Sequence, residues 1–382
     1  MRILFILFFF SSFVKAQETV VFKSGTEGHK SYRIPAIVTL PNGELLAFAE
    51  GRVNNSADFG DINIVMKRSS DKGKTWGKLI MLVDQTILQA GNPAPVIDLQ
   101  DPDYPNGVVY LFYNTGNNHE NEIRKGNGVR EVWFIRSFDL ARTWSEPVNI
   151  TSMVHKPFQP ELNLVYNFKE DWRSYANTPG HAMQFQKGKY KGRIVIPANH
   201  SAGPPQHQFR DYRAHAFYSD DHGKTFQLSP SIDIEGSNES IVTELSNNRM
   251  LMSIRNQRGD IRNRILAYSS SGAKYWDTTY FDQQLIDPVC QGSLLTIGYK
   301  KGKAIIASSN AADQRERNNL TIKISYDEGK SWLKSIVVDK NETAKNDWTA
   351  YSDLVLINKK TIGILYERNN YAEIVFKSIS LK

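Results

Sequence analysis

Cysteine is almost missing from this chain: Cys290 is the only one in 382 residues. One thiol excludes an intrachain disulfide and any cysteine-based metal cluster, so stability has to come from packing. Long apolar runs are scarce too. The most conspicuous stands at the start, MRILFILFFFSSFVKA, where Arg2 precedes an apolar stretch over residues 3–10. It is far too short to span a bilayer. A basic residue, a short apolar stretch, then Val14 and Ala16 at the cleavage positions have the layout of a secretory leader. Residues 1–16 are therefore expected to be a signal peptide. The mature chain would begin near Gln17, outside the cytosol, secreted or periplasmic, with no transmembrane segment.

Charge runs and linkers are absent as well. The chain carries 47 Lys and Arg against 40 Asp and Glu, a net +7, but the basic residues are scattered along it. That scatter argues against a nucleic-acid footprint. A moderate positive balance instead suits attraction of anionic substrates or an acidic cell surface. No Pro/Ser/Gly-rich stretch separates two domains, and no long amphipathic helix is evident. Glycine-rich phosphate loops are missing, and the eight histidines show no pair at metal-ligand spacing, so no cofactor and no metal are expected. Asn-x-Ser/Thr sites stand at Asn54, Asn149, Asn199, Asn238, Asn319 and Asn341; they matter only in a glycosylating host.

What the sequence has in quantity is one turn. SSDKGKTW (69–76) returns as SFDLARTW (137–144), SDDHGKTF (219–226) and SYDEGKSW (325–332), and SSSGAKYW (269–276) is a fainter copy without the Asp. The four full copies follow short strand-like runs: INIVMKR, EVWFIR, RAHAFY and LTIKI. Only the last alternates apolar and polar residues; the others read as strands covered on both faces. Within the turn the Asp can accept backbone N–H groups just ahead of it. The fifth position wants positive φ, which Gly tolerates and Ala141 in the second copy does not, so that copy should be the least ideal. The closing Trp or Phe can tuck under the turn. Successive copies lie one or two four-stranded modules apart, a module taking about 40–50 residues. Hairpins such as AIVTLPNGELLAFAE and LSNNRMLMSI fill the gaps. The pattern predicts one all-β propeller, with the repeated turns closing outer hairpins and doing no chemistry.

The repeats fit S-x-D-x-G-x-T-W, the Asp box of sialidases, which other secreted β proteins also carry. More specific is SYRIPAIVTL, which resembles the sialidase Phe/Tyr-Arg-Ile-Pro motif and stands ahead of the first box as it does in that family. TAYSDLVLI and LYERNNYAEIVF resemble sialidase segments near the C-terminus. The resemblance runs from about Tyr32 to Phe376. It implies that 17–382 form a six-bladed β-propeller, the minimal catalytic domain of an exo-α-sialidase, a retaining glycoside hydrolase acting on sialylated glycans as a monomer. A sialic-acid lectin on a catalytically weak propeller and a trans-sialidase are the alternatives.

Matched residue by residue, the resemblance places Arg33, Arg255 and Arg317 as an arginine triad on the substrate carboxylate, with Arg315 as the alternative to Arg317. Asp58 matches the acid/base, with Asp61 as alternative. Tyr351 matches the nucleophile and Glu239 its partner, with Glu244 as a weaker candidate. Glu367 matches a carboxylate that holds Arg33, Arg52 the arginine near the sugar's O4, and Asn92 a residue of the pocket floor. The chemistry suits these residue types. Planar guanidinium groups bind a carboxylate with two bonds at fixed geometry. A neutral phenol approaches an anomeric carbon bearing a carboxylate without the repulsion an Asp or Glu would meet, and sialidases are an established exception to the two-carboxylate pattern. A free Tyr has a pKa of about 10, so it needs a base within reach. An acid that protonates the leaving oxygen needs a raised pKa, which is the expectation for Asp58.

Overall fold

A computed structural model describes residues 18–344 and 347–381. The expected leader and Gln17 lie outside the described residues. Almost every regular element is a strand, and almost every pairing is an antiparallel meander. Three sheets of this kind are built from Ser237–Glu244 to Thr278–Ile286, from Ser293–Lys300 to Lys334–Asp339, and around Trp172–Asn177, Ile194–Ala202 and Tyr212–Ser219. An eight-stranded sheet consists of two further meanders joined by one parallel pair, Ile62 with Gln89. In the last sheet Glu18–Lys23 pairs along the outer edge of Glu373–Ser380. The first and last described strands thus share a sheet, which leaves no open edge between first and last modules. The architecture is an all-β propeller.

The repeated turns sit where the sequence places them, between the third and fourth strands of their modules. In the first, Asp71 Oδ1 accepts the Thr75 N–H (2.9 Å) and Oδ2 the Thr75 hydroxyl (2.7 Å). Ser69 Oγ accepts the Gly73 N–H at 2.8 Å. Gly73 has φ +87°, and a Cβ there would fall 2.0 Å from the Phe376 ring. The second copy keeps the same bonds with Ala141 at φ +62°. It carries the left-handed strain itself, on the order of 1–2 kcal/mol. In the fifth copy Ser271 replaces the Asp and accepts the Tyr275 N–H at 2.8 Å, with Ala273 at φ +80°. The closing aromatics pack inward: Phe226 joins Phe112 and Phe217 in edge-to-face contacts between modules, and Trp332 is buried. No residue of these turns lines the main cavity.

The innermost strands matter for function because their ladders slip near the N-terminal end. Register shifts fall between Arg33 and Ala36, Gly91 and Ala94, Trp172 and Tyr175, Ser237 and Ser240, and Thr349 and Ser352. Such bulges bend a strand and re-aim its side chains. Two of them contain proline after a left-handed residue, Ile34 (φ +59°) before Pro35 and Asn92 (φ +54°) before Pro93. Proline has no N–H to give a ladder, so a bulge is where it fits. Among the described residues, no helix is long and apolar enough to cross a membrane.

Candidate active site

The bulged strand ends converge on a cavity of about 230 Å³. Arg33, Arg52, Asp58, Asn92, Glu239, Arg255, Arg317 and Tyr351 all line it. The alternatives do not: Arg315 is exposed on the loop beside Arg317, Asp61 faces a separate surface depression, and Glu244 lies at the opposite end of the strand that carries Glu239.

Glu367 lies behind the cavity wall and is fully buried. Its carboxylate accepts Arg33 Nε at 2.6 Å and Nη2 at 3.3 Å, and also the N–H groups of Ile34 (2.9 Å) and Tyr351 (3.2 Å). One acid therefore fixes a guanidinium and stitches two bulges from sequence-distant strands. Burial alone would push the Arg33 pKa down, but Glu367 outweighs it and keeps the group charged. The Arg33 guanidinium also lies 4.0 Å from the centre of the Tyr371 ring. Arg317 donates to the Tyr371 hydroxyl at 3.0 Å.

Tyr351, Glu239 and Arg255 form a closed triangle. The Tyr351 hydroxyl donates to Glu239 Oε1 at 2.6 Å and accepts from Arg255 Nη1 at 2.8 Å, while the same Nη1 donates to Glu239 Oε2 at 2.6 Å. Burial and the Glu239 charge push the phenol pKa well up, against the pull of Arg255 and Arg317. The phenol is neutral and already bonded to the group that can take its proton. Beneath it packs Cys290, whose thiol burial raises to about 12, so the lone cysteine is a neutral filler here.

Asp58 departs from expectation. Its side chain is 81% exposed on the loop after Leu45–Arg52 and pairs with Arg52 Nη1 at 2.7 Å. Partial burial works to raise its pKa, but the charges of Arg52, Arg33 and Arg130 prevail and lower it. The group expected to donate a proton is thus held toward its ionised form by its neighbours. Arg52 likewise differs from a simple sugar contact. Its Nε and Nη2 donate to Glu50 Oε2 (3.1 and 2.7 Å), and Nη1 donates to the Ser56 carbonyl (2.6 Å) as well as to Asp58. It pins the Asp58 loop to the buried Glu50. Asn92 does lie in the cavity wall, its N–H on Glu50 Oε1 (2.9 Å) and its amide on the Asn177 carbonyl (3.1 Å).

Several lining residues escape sequence reasoning. Glu50 in the wall and Tyr371 behind it sit in strings the sequence does single out, but nothing in those strings marks their contacts to Asn92 and Arg317. On the far wall Glu120, from the short helix Glu120–Arg124, accepts the hydroxyls of Tyr212 and Ser174. Among the described residues, the buried Nε atoms of Arg130 and Arg255 have no hydrogen-bond partner. Five arginines thus face a polar cavity, an environment built for an anion.

The comparisons agree with that chemistry. Residues 43–364 match the BNR repeat-like domain, and the chain belongs to that family. It is 28% identical over 366 residues to a sialidase of Micromonospora viridifaciens, covering 90% of this chain and 51% of that protein. A sialidase of Bacteroides fragilis is 28% identical over 382 residues, covering 94% of this chain and 64% of that one. The chain therefore spans between half and two thirds of these relatives. Among solved structures, the Hadza microbial sialidase Hz136 superposes with a TM-score of 0.79 at 25% identity, covering 95% of this chain and 68% of that one. The resemblance to sialidases read from the motifs is borne out.

Proposed function

We propose that this chain is an exo-α-sialidase that hydrolyses terminal α-linked sialic acid from glycoconjugates with retention. The observation that carries the reading is the Tyr351–Glu239–Arg255 triangle set beside Arg33 and Arg317. Counting the eight-stranded sheet as two modules joined by their single parallel pair makes the scaffold six-bladed.

The three arginines grip the sugar carboxylate and place the anomeric carbon over Tyr351. As the phenol oxygen bonds to that carbon, its proton passes along the short bond to Glu239, and the glycosidic bond breaks. Asp58 gives a proton to the departing oxygen. The substrate's carboxylate offsets the positive field of Arg33, and rotation of Asp58 away from Arg52 onto the leaving oxygen breaks the strongest pull on it, so its pKa rises when it is needed. Water then attacks the same carbon with Asp58 as base, Glu239 returns the proton, and two inversions leave the α-configuration.

Proton NMR of a sialyl-lactose digest tests this, with isotope-labelled lactose added in a parallel tube. We expect the α-anomer of sialic acid to appear first and no label to enter the trisaccharide. A β-anomer first overturns the double displacement, and transfer to added lactose makes the protein a trans-sialidase. Binding without turnover makes it a lectin.

A further inference from the structure

Basic residues scattered along the chain come together at one place on its surface besides the cavity. Hairpin turns at the strand ends away from the cavity gather lysines from distant segments: Lys187 from QKGKYKGR, Lys300, Lys301 and Lys303 from YKKGK, and Lys330 from the fourth repeated turn. Lys187, Lys301, Lys303 and Lys330 line two adjoining depressions of about 390 and 400 Å³ that share Ser246, Asn247 and Gly302 in their walls, and Lys300 stands beside Tyr299 of the first. The strand Lys303–Ala311 leads from this face to the loop holding Arg317. At about 3.3 Å per residue, that separates the groove from the cavity by roughly 30 Å.

Acids line the groove too, but each is spent inward. Glu244 accepts the N–H groups of Gln186 (3.0 Å) and Lys187 (3.1 Å). Glu328 accepts those of Ser246 (2.9 Å) and Ala304 (3.1 Å) and pairs with Arg249. Asp327 accepts the Ser331 N–H (2.9 Å) and hydroxyl (2.6 Å). These carboxylates tie the turns together, while Lys301, Lys303 and Lys330 stand exposed. Two tyrosines accompany the lysines, Tyr299 in the groove wall and Tyr326 on the turn beside it: the Lys187 ammonium lies 3.6 Å from the centre of the Tyr299 ring, and that of Lys300 6.0 Å from Tyr326. Both rings are partly exposed, 39% and 41%.

We propose that this groove binds a linear acidic polysaccharide, its carboxylate or sulfate groups on the lysines and its sugar faces against the tyrosines. A concave, lysine-rimmed channel matches a charged chain. Insertion into a lipid surface would need exposed aliphatic side chains, and the one leucine in the walls, Leu245, is 2% exposed. Held by this face, the protein keeps its cavity turned away from the polymer.

Binding of the full chain to immobilised dextran sulfate, with neutral dextran as reference, tests the proposal. The expected result is binding to the sulfated polymer alone, weakening at least about tenfold between roughly 0.05 and 0.2 M salt. K301E/K303E/K330E should lose at least about tenfold more affinity, K301E alone an intermediate amount, and K72E/K74E/K78E, on the remote first repeated turn, should lose little, all at unchanged melting temperature. Equal losses in the two triple variants would reduce the effect to net charge and overturn the assignment. So would tighter binding to phosphatidylserine vesicles or duplex DNA than to dextran sulfate at the same salt.

Discussion

Arg317 separates charge from shape at the level of a single residue. Its guanidinium is held by the Tyr371 hydroxyl at 3.0 Å and the Val289 carbonyl at 3.3 Å, with the rest of its fork toward the cavity. Arg317→Lys keeps the charge and loses the fork. Losing one or two charge-assisted bonds should raise KM by roughly 10–100-fold, measured on a small sialoside, while the exposed Arg315→Lys leaves KM unchanged. The reverse result would mean the wrong arginine has been assigned. Legibility at this scale was uneven. Arg33, Glu239 and Tyr351 stood in recognisable local strings, and each reaches the cavity. Glu120 stood in none, and the strings holding Glu50 and Tyr371 did not reveal their parts, because those parts rest on sequence-distant contacts such as Glu50 with Asn92 and Tyr371 with Arg317. The direction of the Asp58 shift was equally hidden, since it is set by three arginines converging in space.

At the scale of an element, the repeated turn is a small electrostatic device. Asp71 has its pKa lowered to about 2, first by the Thr75 N–H and then, against the opposing effect of desolvation, by the hydroxyls of Thr75 and Ser69. A carboxylate depressed in the folded state stabilises the fold above its unfolded pKa of about 3.9, and that stability is lost as pH falls toward 2. Asp71→Ala should therefore cost about 1–3 kcal/mol at pH 7, with unsatisfied turn amides the cause. The gap from wild type should close between about pH 4 and pH 2. Urea titrations across that range check it, and a gap independent of pH would contradict the assignment. Because Asp71 lies outside the cavity wall, KM of the folded fraction should not move. The turns were fully legible because each is specified within eight residues. The bulges were not: Arg-Ile-Pro marks one of them, but a register slip belongs to a pair of strands, and one strand's sequence does not show it.

For the molecule as a whole, closure depends on the strand Glu18–Lys23 pairing with Glu373–Ser380. Phe22 is fully buried there, its ring 5.3 Å from that of Tyr32 in the next module. Phe22→Ala should cost roughly 3–5 kcal/mol, and calorimetry should still show one transition, since every module packs on its neighbours. Two separated transitions would contradict a single cooperative unit. The propeller itself was legible from turn spacing and strand patterning. The pairing of the two chain ends was not, since 350 residues separate Glu18 from Arg368, which it meets through an ion pair.

The central claim is that Tyr351 attacks the sugar with Glu239 as its base. A 3-fluoro-sialosyl fluoride carries a good leaving group and a substituent that slows the second step, so the glycosyl-enzyme should accumulate. Peptide mass spectrometry of the inactivated protein reads the answer directly. The account predicts one sialosyl group on the peptide containing Tyr351, and none in Tyr351→Phe. An adduct on any other residue, or rapid turnover with no adduct and β-sialic acid as the first product, would contradict it.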